Sequence, residues 1–449
     1  MVFCQELLIN YIEYMFANFL GRFSHDLGID LGTKNTLVYM NDKGIVINEP
    51  SVVAINKRTN EILEVGEAAN RMVGKTPGHI EAIKPLVDGV ISDFEVTEKM
   101  LKYFITKVHQ ENFALIPRPR VVIGIPLDLT EVERKAVEDA AKSAGARKVY
   151  LIEEAMAAAI GAHLPVIDAT ATMVVDIGGG SSEIAVISLG GVVTWKSLRL
   201  AGNEFDNNII EYIREEFNIL IGEQIAESIK IKIGSAMPLD EPKEMEVRGR
   251  DLITGLPKAI IVNDVQIREA LSRTVSKITD NIKTILETTP PELVSDIYER
   301  GIFLSGGGAL LRGLDKAISL AAKIPVKIAE DPLTCVVRGT GYLLENKELF
   351  EKVKQIVKSR NLSIYEQLEE IKPIDTVSTD TTLQQAREIK TQRIKQSIKE
   401  TIKSLINENI NPTKYKVNKR TGISFITLNK YYQLILDEVT NEKIIKTTI

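Results

Sequence analysis

The first part of the chain alternates between short apolar runs and polar turns. The runs hold Val, Ile and Leu at the spacing of β-strands, and they cover residues 26–30, 36–41, 45–47, 51–55, 120–126 and 149–152. Apolar side chains repeat at helical spacing in residues 96–109, 130–144 and 154–162. Thr130 and Glu133 form the capping-box pattern that begins the second of these helices. Because strands alternate with helices, the pattern predicts an α/β fold with mixed sheets.

The apolar pattern starts again at Met173, and the restart repeats a glycine turn. The first copy is Gly28-Ile29-Asp30-Leu31-Gly32-Thr33-Lys34-Asn35-Thr36. The second copy is Val174-Val175-Asp176-Ile177-Gly178-Gly179-Gly180-Ser181-Ser182-Glu183. Each begins in an apolar strand and places an aspartate at the strand end. Glycines let backbone N–H groups approach a phosphate closely, and successive N–H groups form an anion-binding concavity.

The two aspartates of these turns, Asp30 and Asp176, carry the same sign of charge as a phosphate and therefore do not bind it directly. A divalent cation, held through its waters between them and the phosphates, explains their placement. The duplicated turn thus predicts two related halves that close on a nucleotide and Mg²⁺. A single turn of this kind is often an ordinary hairpin. Two copies, with a third glycine cluster at Ser305-Gly306-Gly307-Gly308-Ala309, favour the functional interpretation over three unrelated turns.

Residues 24 to about 350 resemble an actin-fold ATPase of the superfamily that contains sugar kinases, Hsp70 and actin. Within it they are similar to the MreB-type bacterial actins, which determine rod shape. The resemblance rests on the two aspartate turns and on segments 48–54, 71–78, 84–91 and 329–334. It implies two duplicated RNase H-like α/β domains around a nucleotide cleft. These would form an ATPase domain over residues 24–353, with the second lobe starting near residue 165.

The resemblance also implies the roles of individual residues. In the family, the carboxylate at the position of Glu154 faces the γ-phosphate and orients the attacking water, whereas a carboxylate at a helix start is otherwise explained by capping alone. Ser181 stands where the family commonly has threonine, so a hydroxyl is kept. We therefore expect Glu154 and Ser181 to be catalytic and Asp30 and Asp176 to hold Mg²⁺ through water. The residues expected to bind ATP are Gly32, Thr33, Lys34, Asn35, Gly178, Gly179, Gly180, Ser181, Ser182, Glu227, Lys230, Gly306, Gly307 and Gly308.

Residues 219–234 are predicted to form one helix, with Glu223, Glu227 and Lys230 on the same face. The residues alone are also consistent with a solvated helix face. The resemblance instead places Glu227 and Lys230 beside the ribose and adenine, with Gly306 and Gly307 closing over the other side.

The composition is that of a soluble globular protein, with 44% hydrophobic and 26% charged residues among 449. The two cysteines, Cys4 and Cys335, are far apart, which excludes a disulfide framework and favours a reducing cytoplasm. The four histidines lie in no metal-binding motif. Histidine and cysteine chemistry is therefore not expected to carry catalysis.

Residues 1–23 form an apolar segment that is interrupted by polar residues such as Glu6, Asn10 and Glu13. These interruptions, and the lack of a basic start and a cleavage site, disfavour a membrane span and a secretory signal. We expect an amphipathic helix that binds the inner face of the membrane. The alternative is a helix docked on the protein body. Family members begin near Met15, so residues 1–14 are either an extension or a misassigned start.

The C-terminal part differs from the body in charge. From Thr381 to Ile449 there are 13 Lys and Arg against 6 Asp and Glu, a net charge of +7, which leaves −12 on residues 1–380. We expect a linker over residues 354–382 and a helical extension over 383–449, with a long helix to about residue 407. The resemblance does not extend to this tail.

Residues 415–432 have the pattern helix, Gly422 turn, helix, which is typical of a helix-turn-helix. Val417 and Ile423 are expected inside, and the outward-facing residues are Thr427, Asn429 and Lys430. Their basic neighbours would contact DNA phosphates. The alternatives are a protein-contact module and a fusion remnant.

Taken with the resemblance, the sequence favours a filament-forming ATPase with slow hydrolysis. It would bind itself, inner-membrane lipids and the membrane proteins of cell-shape and wall synthesis. A DNA-segregation actin that uses the C-terminal extension is the alternative. A sugar kinase is disfavoured because the short insertions leave little room for a sugar pocket. An Hsp70-type chaperone is disfavoured because no β-rich peptide-binding domain follows.

Overall fold

A computed structural model describes residues 24–111, 118–353 and 355, and then residues 395, 398–406, 412, 417, 435–436 and 439. The chain divides into two compact units, Met1–Leu362 and Ser363–Ile449. The N-terminal segment 1–23 lies outside the described residues, and so does the expected linker apart from residue 355. Within the described ranges, no helix has both the length and the apolar character that a bilayer crossing requires.

The first unit is an α/β structure. Its strands are β1 (Leu27–Leu31), β2 (Asn35–Met40), β3 (Gly44–Pro50), β4 (Val53–Asn56), β5 (Glu61–Val65), β6 (Ile80–Ile83), β7 (Leu86–Val87), β8 (Val90–Ile91), β9 (Arg120–Ile125), β10 (Lys148–Glu153), β11 (Thr172–Ile177), β12 (Ser182–Ser188), β13 (Gly191–Leu198), β14 (Ile219–Leu220), β15 (Glu244–Asp251), β16 (Pro257–Asn263), β17 (Ile302–Ser305) and β18 (Val326–Ile328).

Its helices in the described residues are α1 (Glu67–Asn70), α2 (Phe94–Glu111), α3 (Glu131–Ser143), α4 (Glu154–Gly161), α5 (Gly202–Phe217), α6 (Glu223–Ile233), α7 (Asp264–Thr288), α8 (Pro291–Arg300), α9 (Leu314–Ala322) and α10 (Cys335–Glu345). Short 3-10 helices occupy Gly307–Leu310 and Pro332–Thr334.

Two five-stranded sheets have the same topology and form the centres of two lobes. The first has the strand order β10-β9-β1-β2-β3, and the second has the order β18-β17-β11-β12-β13. In each, the central strand pairs antiparallel with the strand that follows it and parallel with a later one, as β1 does with β2 and β9, and β11 with β12 and β17. Smaller sheets, β5-β4-β6 and β14-β15-β16, extend the lobes. The duplication expected from the repeated turns is therefore present in the fold.

Most local predictions agree with the structure to within two residues. Thr130 caps α3, and the reciprocal hydrogen bonds with Glu133 complete the capping box. One prediction is wrong: residues 219–234 are not a single helix. Ile219 and Leu220 form β14 and pair with Asp251 and Arg250, and α6 begins only at Glu223, after Gly222. The apolar run at 219–221 suits either element, and pairing with a distant strand decides it.

Helices α4 and α10 cross between the two lobes and hold them together. Gly161 lies so close to Cys335, and Gly339 so close to Ala157, that a Cβ on either glycine would overlap the facing backbone carbonyl. Every residue of α4 is buried. The small residues of α4 allow this close packing, which places the first turn of the helix, and Glu154 with it, at the cleft.

The second unit contains a small apolar cluster. Residues 398–406 are helical, and the side chains buried together are Ile398, Ile402, Leu405, Val417, Ile435 and Val439. Val417 is buried as predicted. The other residues of the helix-turn-helix prediction, namely Gly422, Ile423, Thr427, Asn429 and Lys430, lie outside the described residues.

Candidate functional site

The two aspartate turns contact each other across the cleft between the lobes. A Cβ placed on Gly180 would lie 2.6 Å from Thr33 Oγ1 and 2.8 Å from Asp88 Cα. A Cβ on Gly179 would overlap the side chain of Lys34. Because only glycine tolerates such an approach, the second turn can pack directly on the first.

Behind this contact lies a cavity of about 630 Å³, a volume within the range of roughly 300–1,000 Å³ for small-molecule sites. The predicted residues that line it are Asp30, Gly32, Thr33, Lys34, Asn35, Glu154, Asp176, Gly178, Gly179, Gly180, Ser181, Glu227, Lys230, Gly306, Gly307 and Gly308. Segments from both lobes and from α4 therefore converge on one cavity.

Ser182 is the predicted site residue that does not line the cavity. It begins β12, pairs with Ile177, and its buried hydroxyl donates a hydrogen bond to the Leu200 carbonyl at 2.5 Å. Successive side chains of a strand point to opposite faces, so Ser181 and Ser182 cannot both face the cavity. The structure therefore assigns the Ser182 side chain to the support of the turn.

The second turn is fixed by the N-terminus of α5. The Gly178 and Gly179 carbonyls accept hydrogen bonds from the N–H groups of Gly202 and Asn203 at 3.1 and 2.8 Å. Within a planar trans peptide the N–H points opposite to the carbonyl. The N–H groups of Gly179 and Gly180 consequently point away from α5, in the arrangement that an anion-binding turn requires.

Two buried carboxylates, Asp176 and Glu154, and the half-buried carboxylate of Asp30 line the cavity. Burial raises the pKa of Asp30 to about 7, and the charge of Asp176 adds to the effect. Burial also raises the pKa of Asp176 to about 6, although Ser305 Oγ donates to it at 2.5 Å and opposes the shift. The pKa of Glu154 is raised well above its ordinary value, by burial first and then by neighbouring carboxylates.

This group of neighbouring carboxylates, each with a raised pKa, fits a divalent cation. Neighbouring buried carboxylates are costly as anions unless a positive charge compensates them, and Mg²⁺ is typically bound by one or two carboxylates and several waters. In the residues that the structure describes, no group of three or more His, Cys, Asp or Glu side chains is arranged for direct metal ligation. The sequence predicts a different arrangement, in which Asp30 and Asp176 hold the cation through water molecules.

A network of charges lies on another wall of the cavity. Lys34 Nζ is 3.1 Å from both Asp206 Oδ2 and Glu227 Oε1, so the first turn is tied to α5 and α6 of the second lobe. Lys230 Nζ lies 2.8 Å from Asp206 Oδ1 and donates to the Gly202 carbonyl. Burial lowers the pKa of Lys34, but the two carboxylates more than offset this and raise it.

Glu223 does not line the cavity and has contacts different from those of Glu227 and Lys230. It forms an ion pair with Lys84 of the first lobe, and the neighbouring Gln224 side chain donates to the Asn70 carbonyl at 3.0 Å. These contacts join the lobes at the cavity mouth, outside the lining. Glu227 and Lys230, by contrast, line the cavity, where the side chain of Glu227 is 38% exposed and that of Lys230 is 14% exposed.

Sequence reasoning missed several residues of the site. Asp206 has only a 3% exposed side chain, and it stands in a helix with no motif around it, so no sequence signal pointed to it. Gly89, whose N–H donates to Thr33 Oγ1 at 2.9 Å, could have been found from the Asp88-Gly89 hairpin dipeptide. The apolar lining that was missed consists of Leu37, Phe205, Ile231, Leu310, Leu311, Pro332, Leu333 and Val336.

Comparison with known proteins shows the family of this chain. The family model described as MreB/Mbl protein matches residues 24–355. The chain is 54% identical over 335 residues to the cell shape-determining protein MreB of Escherichia coli strain K12, covering 74% of this chain and 96% of that one. It is 50% identical over 332 residues to the cell shape-determining protein Mbl of Bacillus subtilis strain 168, covering 74% and 99%.

A solved structure shares the fold as well. The crystal structure of MreB5 of Spiroplasma citri bound to ADP superimposes with a TM-score of 0.69 at 41% sequence identity, covering 72% of this chain and 96% of that one. The α/β actin-like fold that the family resemblance implies is thereby confirmed. With a matching family model over most of its length and relatives at about half identity, this chain belongs to the MreB/Mbl family.

Proposed function

We propose that this protein is a bacterial actin that binds ATP and Mg²⁺ in the cleft, hydrolyses ATP slowly and forms filaments. The observation that carries the proposal is the contact of two aspartate turns around one cavity, with Glu154 at its floor. The MreB5 relative is bound to ADP in its crystal structure, which supports a nucleotide as the ligand here. The cell shape-determining relatives support a cytoskeletal role.

In this proposal the two turns hold the phosphates through backbone N–H groups of residues 32–34 and 178–182. Asp30 and Asp176 would hold Mg²⁺, which neutralises phosphate charge when bound. Glu227 and Lys230 lie beside the sugar and the base, and Gly306, Gly307 and Gly308 form the opposite wall. Ser181 keeps a hydroxyl at the phosphates. This division of the cavity follows the lining residues from one lobe to the other.

Glu154 orients the attacking water in this proposal. Phosphoryl transfer depends mainly on positioning and charge stabilisation, and Glu154 stands on the first turn of a helix that is packed backbone to backbone against α10. Its burial, together with neighbouring carboxylates, raises its pKa, and a carboxylate with a raised pKa accepts a proton more readily. Slow hydrolysis would then time the life of a filament.

Sedimentation of the full chain tests the filament. Protein with ATP and Mg²⁺ should pellet and show filaments by electron microscopy, and protein without nucleotide should stay in the supernatant. A Glu154→Ala variant should pellet with ATP and disassemble more slowly. No pellet and no filaments at any nucleotide condition would reject the polymerisation proposal.

The cellular role that we propose is organisation of cell-wall synthesis at the inner face of the membrane, which sets rod shape. The N-terminal segment would supply lipid binding. Flotation with anionic phospholipid vesicles should carry the full chain upward and leave a variant without residues 1–21 behind, although that variant still polymerises. Persistent flotation of the truncated chain would move the lipid site elsewhere.

The domain division that we propose is a membrane segment (1–23), an ATPase domain (24–353), a linker (354–382) and a helical extension (383–449). A DNA-segregation actin is the second candidate function, because the net charge of +7 lies on a tail whose described residues form their own apolar cluster. Duplex DNA should then shift the full chain but not a chain that ends at residue 362. Affinity should fall steeply with salt. If duplex DNA does not shift the full chain even at low salt, the tail is instead a protein-contact module or a fusion remnant.

A further inference from the structure

Glu183 is a buried carboxylate that the proposed chemistry does not use. It lies on β12, pairs in register with Asp176, and is fully buried behind the cavity rather than in its lining. Its Oε1 accepts a hydrogen bond from the Leu127 N–H at 2.6 Å. Its Oε2 has no hydrogen-bond partner among the described residues. An incompletely satisfied buried carboxylate is costly, so its presence calls for a cause.

The other lobe shows that the fold does not require this carboxylate. In the first turn, the register partner of Asp30 is Leu37, as Glu183 is the partner of Asp176 in the second. Leu37 is 5% exposed, so an apolar side chain fills the same position of the duplicated hairpin. The acidic side chain of the second copy is therefore explained by the groups that surround it rather than by the hairpin itself.

Those groups come from two other elements, the segment after β9 and the first turn of α4. Leu127 follows β9 of the first lobe, and Ala155 follows Glu154 in the first turn of α4. The Leu127 N–H donates a hydrogen bond to Glu183, and the Ala155 N–H lies near enough to lower the pKa of Glu183 as well, against the larger effect of burial, which raises it. Among the charges that raise the pKa of Glu154, that of Glu183 has the largest effect.

We propose that Glu183 is a positioning residue, which anchors the first turn of α4 to the loop after β9 and thereby holds Glu154 in place. The inference rests on the proposed function, because Glu154 must act on water for its position to matter. β12 also leads directly out of the second turn, so the anchor connects the strand behind the phosphates with the residue that orients the water. Errors of about 1 Å in such positions slow catalysis by up to about 10²-fold.

Two substitutions separate anchoring from charge. Glu183→Leu copies the first lobe and removes the acceptor, and it should slow single-turnover phosphate release by about 10- to 10²-fold. Glu183→Gln keeps an acceptor for the Leu127 N–H and should stay within about threefold of wild type. Titration with a fluorescent ATP analogue in Mg²⁺ should give a Kd within about threefold of wild type for both.

Asp264→Leu is the matched control. Asp264 is also buried, accepts the Lys243 N–H at 3.0 Å and pairs with Arg268, but it lies outside the cavity lining. Its variant should lose thermal stability and keep the hydrolysis rate per folded molecule. If Glu183→Leu does not fold, Glu183→Asp decides, since it keeps a carboxyl group but withdraws it by one methylene. Positioning predicts slower hydrolysis for Glu183→Asp, and a wild-type rate would reject the inference.

The double variant Glu154→Ala/Glu183→Leu tests whether Glu183 acts through Glu154. Residues that act as a unit are not additive, so the double variant should hydrolyse ATP no more slowly than Glu154→Ala. A further loss, or a Kd that weakens in parallel with the rate, would overturn the inference. If instead Glu154→Ala itself hydrolyses ATP at the wild-type rate, the proposed function fails, and that result is distinct from a silent Glu183→Leu beside an impaired Glu154→Ala.

Discussion

The two aspartate turns have the same register but different side chains around it. Asp30 and Asp176 occupy equivalent strand ends, whereas Lys34 of the first turn corresponds to Gly180 of the second. Lys34 reaches across the cleft to Asp206 and Glu227, and Gly180 allows the turns to touch. The shared aspartates are what both turns need for the proposed binding of phosphates and Mg²⁺. The turns differ in how they close the cleft, because Lys34 uses its positive charge and Gly180 allows a close backbone approach.

The hydroxyl groups at equivalent positions behind the two turns have the same structural role. Thr36 lies 2.8 Å from the Ser51 hydroxyl, and Ser182 donates to the Leu200 carbonyl. Both are fully buried. The hydroxyl at this duplicated position therefore supports the turn in both lobes. The two copies differ instead at Lys34 and Gly180, which meet the other lobe across the cleft, and at Leu37 and Glu183 behind the turns.

The largest effect is expected from a substitution at Glu154, which belongs to neither turn. Glu154→Ala should keep ATP binding and slow hydrolysis by about 10²–10⁴-fold, the typical contribution of a general base. Phosphate release after mixing with ATP and Mg²⁺, next to an affinity titration, measures both quantities. A wild-type release rate would assign catalysis to the turns alone.

The aspartates test what the turns share. Asp30→Ala and Asp176→Ala should each weaken Mg²⁺-dependent nucleotide binding by roughly 10–100-fold, the usual size of losses around a metal site. Fluorescent-analogue titration with Mg²⁺ and with EDTA measures the effect, and the EDTA series should show little difference between variants and wild type. Unchanged affinity in Mg²⁺ would reduce both aspartates to structural turn residues.

Gly180 and Lys34 test what the turns do not share. A methyl group on Gly180 meets Thr33 and Asp88, and overpacking of this kind typically costs about 1–3 kcal/mol, so Gly180→Ala should weaken nucleotide binding by about tenfold or more. Lys34→Ala removes partly exposed ion pairs, which are worth about 0–1 kcal/mol, and should change affinity by no more than about fivefold. If the same titration gives a larger loss of affinity for Lys34→Ala than for Gly180→Ala, charge rather than close approach dominates the closing of the cleft, and the comparison is wrong.

The smallest expected effect is on the pH dependence of stability. Burial raises the pKa of Glu183 to about 8 in the folded protein. A raised folded-state pKa gives stability that is present below the ordinary value of about 4.5 and is lost as pH rises toward about 8. Without nucleotide and Mg²⁺, thermal unfolding of Glu183→Gln should therefore depend less on pH across this window than that of wild type. Identical slopes would show that Glu183 does not titrate there.

The sequence by itself determined the features that depend on neighbours along the chain. The strand and helix spacing, the Thr130 capping box and the glycine turns are set by periodicity and by local hydrogen bonds, and they appear in the structure within about two residues of their predicted bounds. The repeated turn also revealed the duplication, because the same local pattern folds in the same way twice.

The tertiary structure decided the features that depend on distant partners. Ile219 became a strand because Asp251 pairs with it, and Ser182 left the cavity because its place in β12 points it toward Leu200. Asp206 lies in no motif, and Glu183 only ends the second turn without an assigned role in it, so each acquires its role from groups in other elements that only folding brings near. A buried carboxylate has meaning only through what surrounds it, since burial and neighbouring charges set its cost, its pKa and its partners.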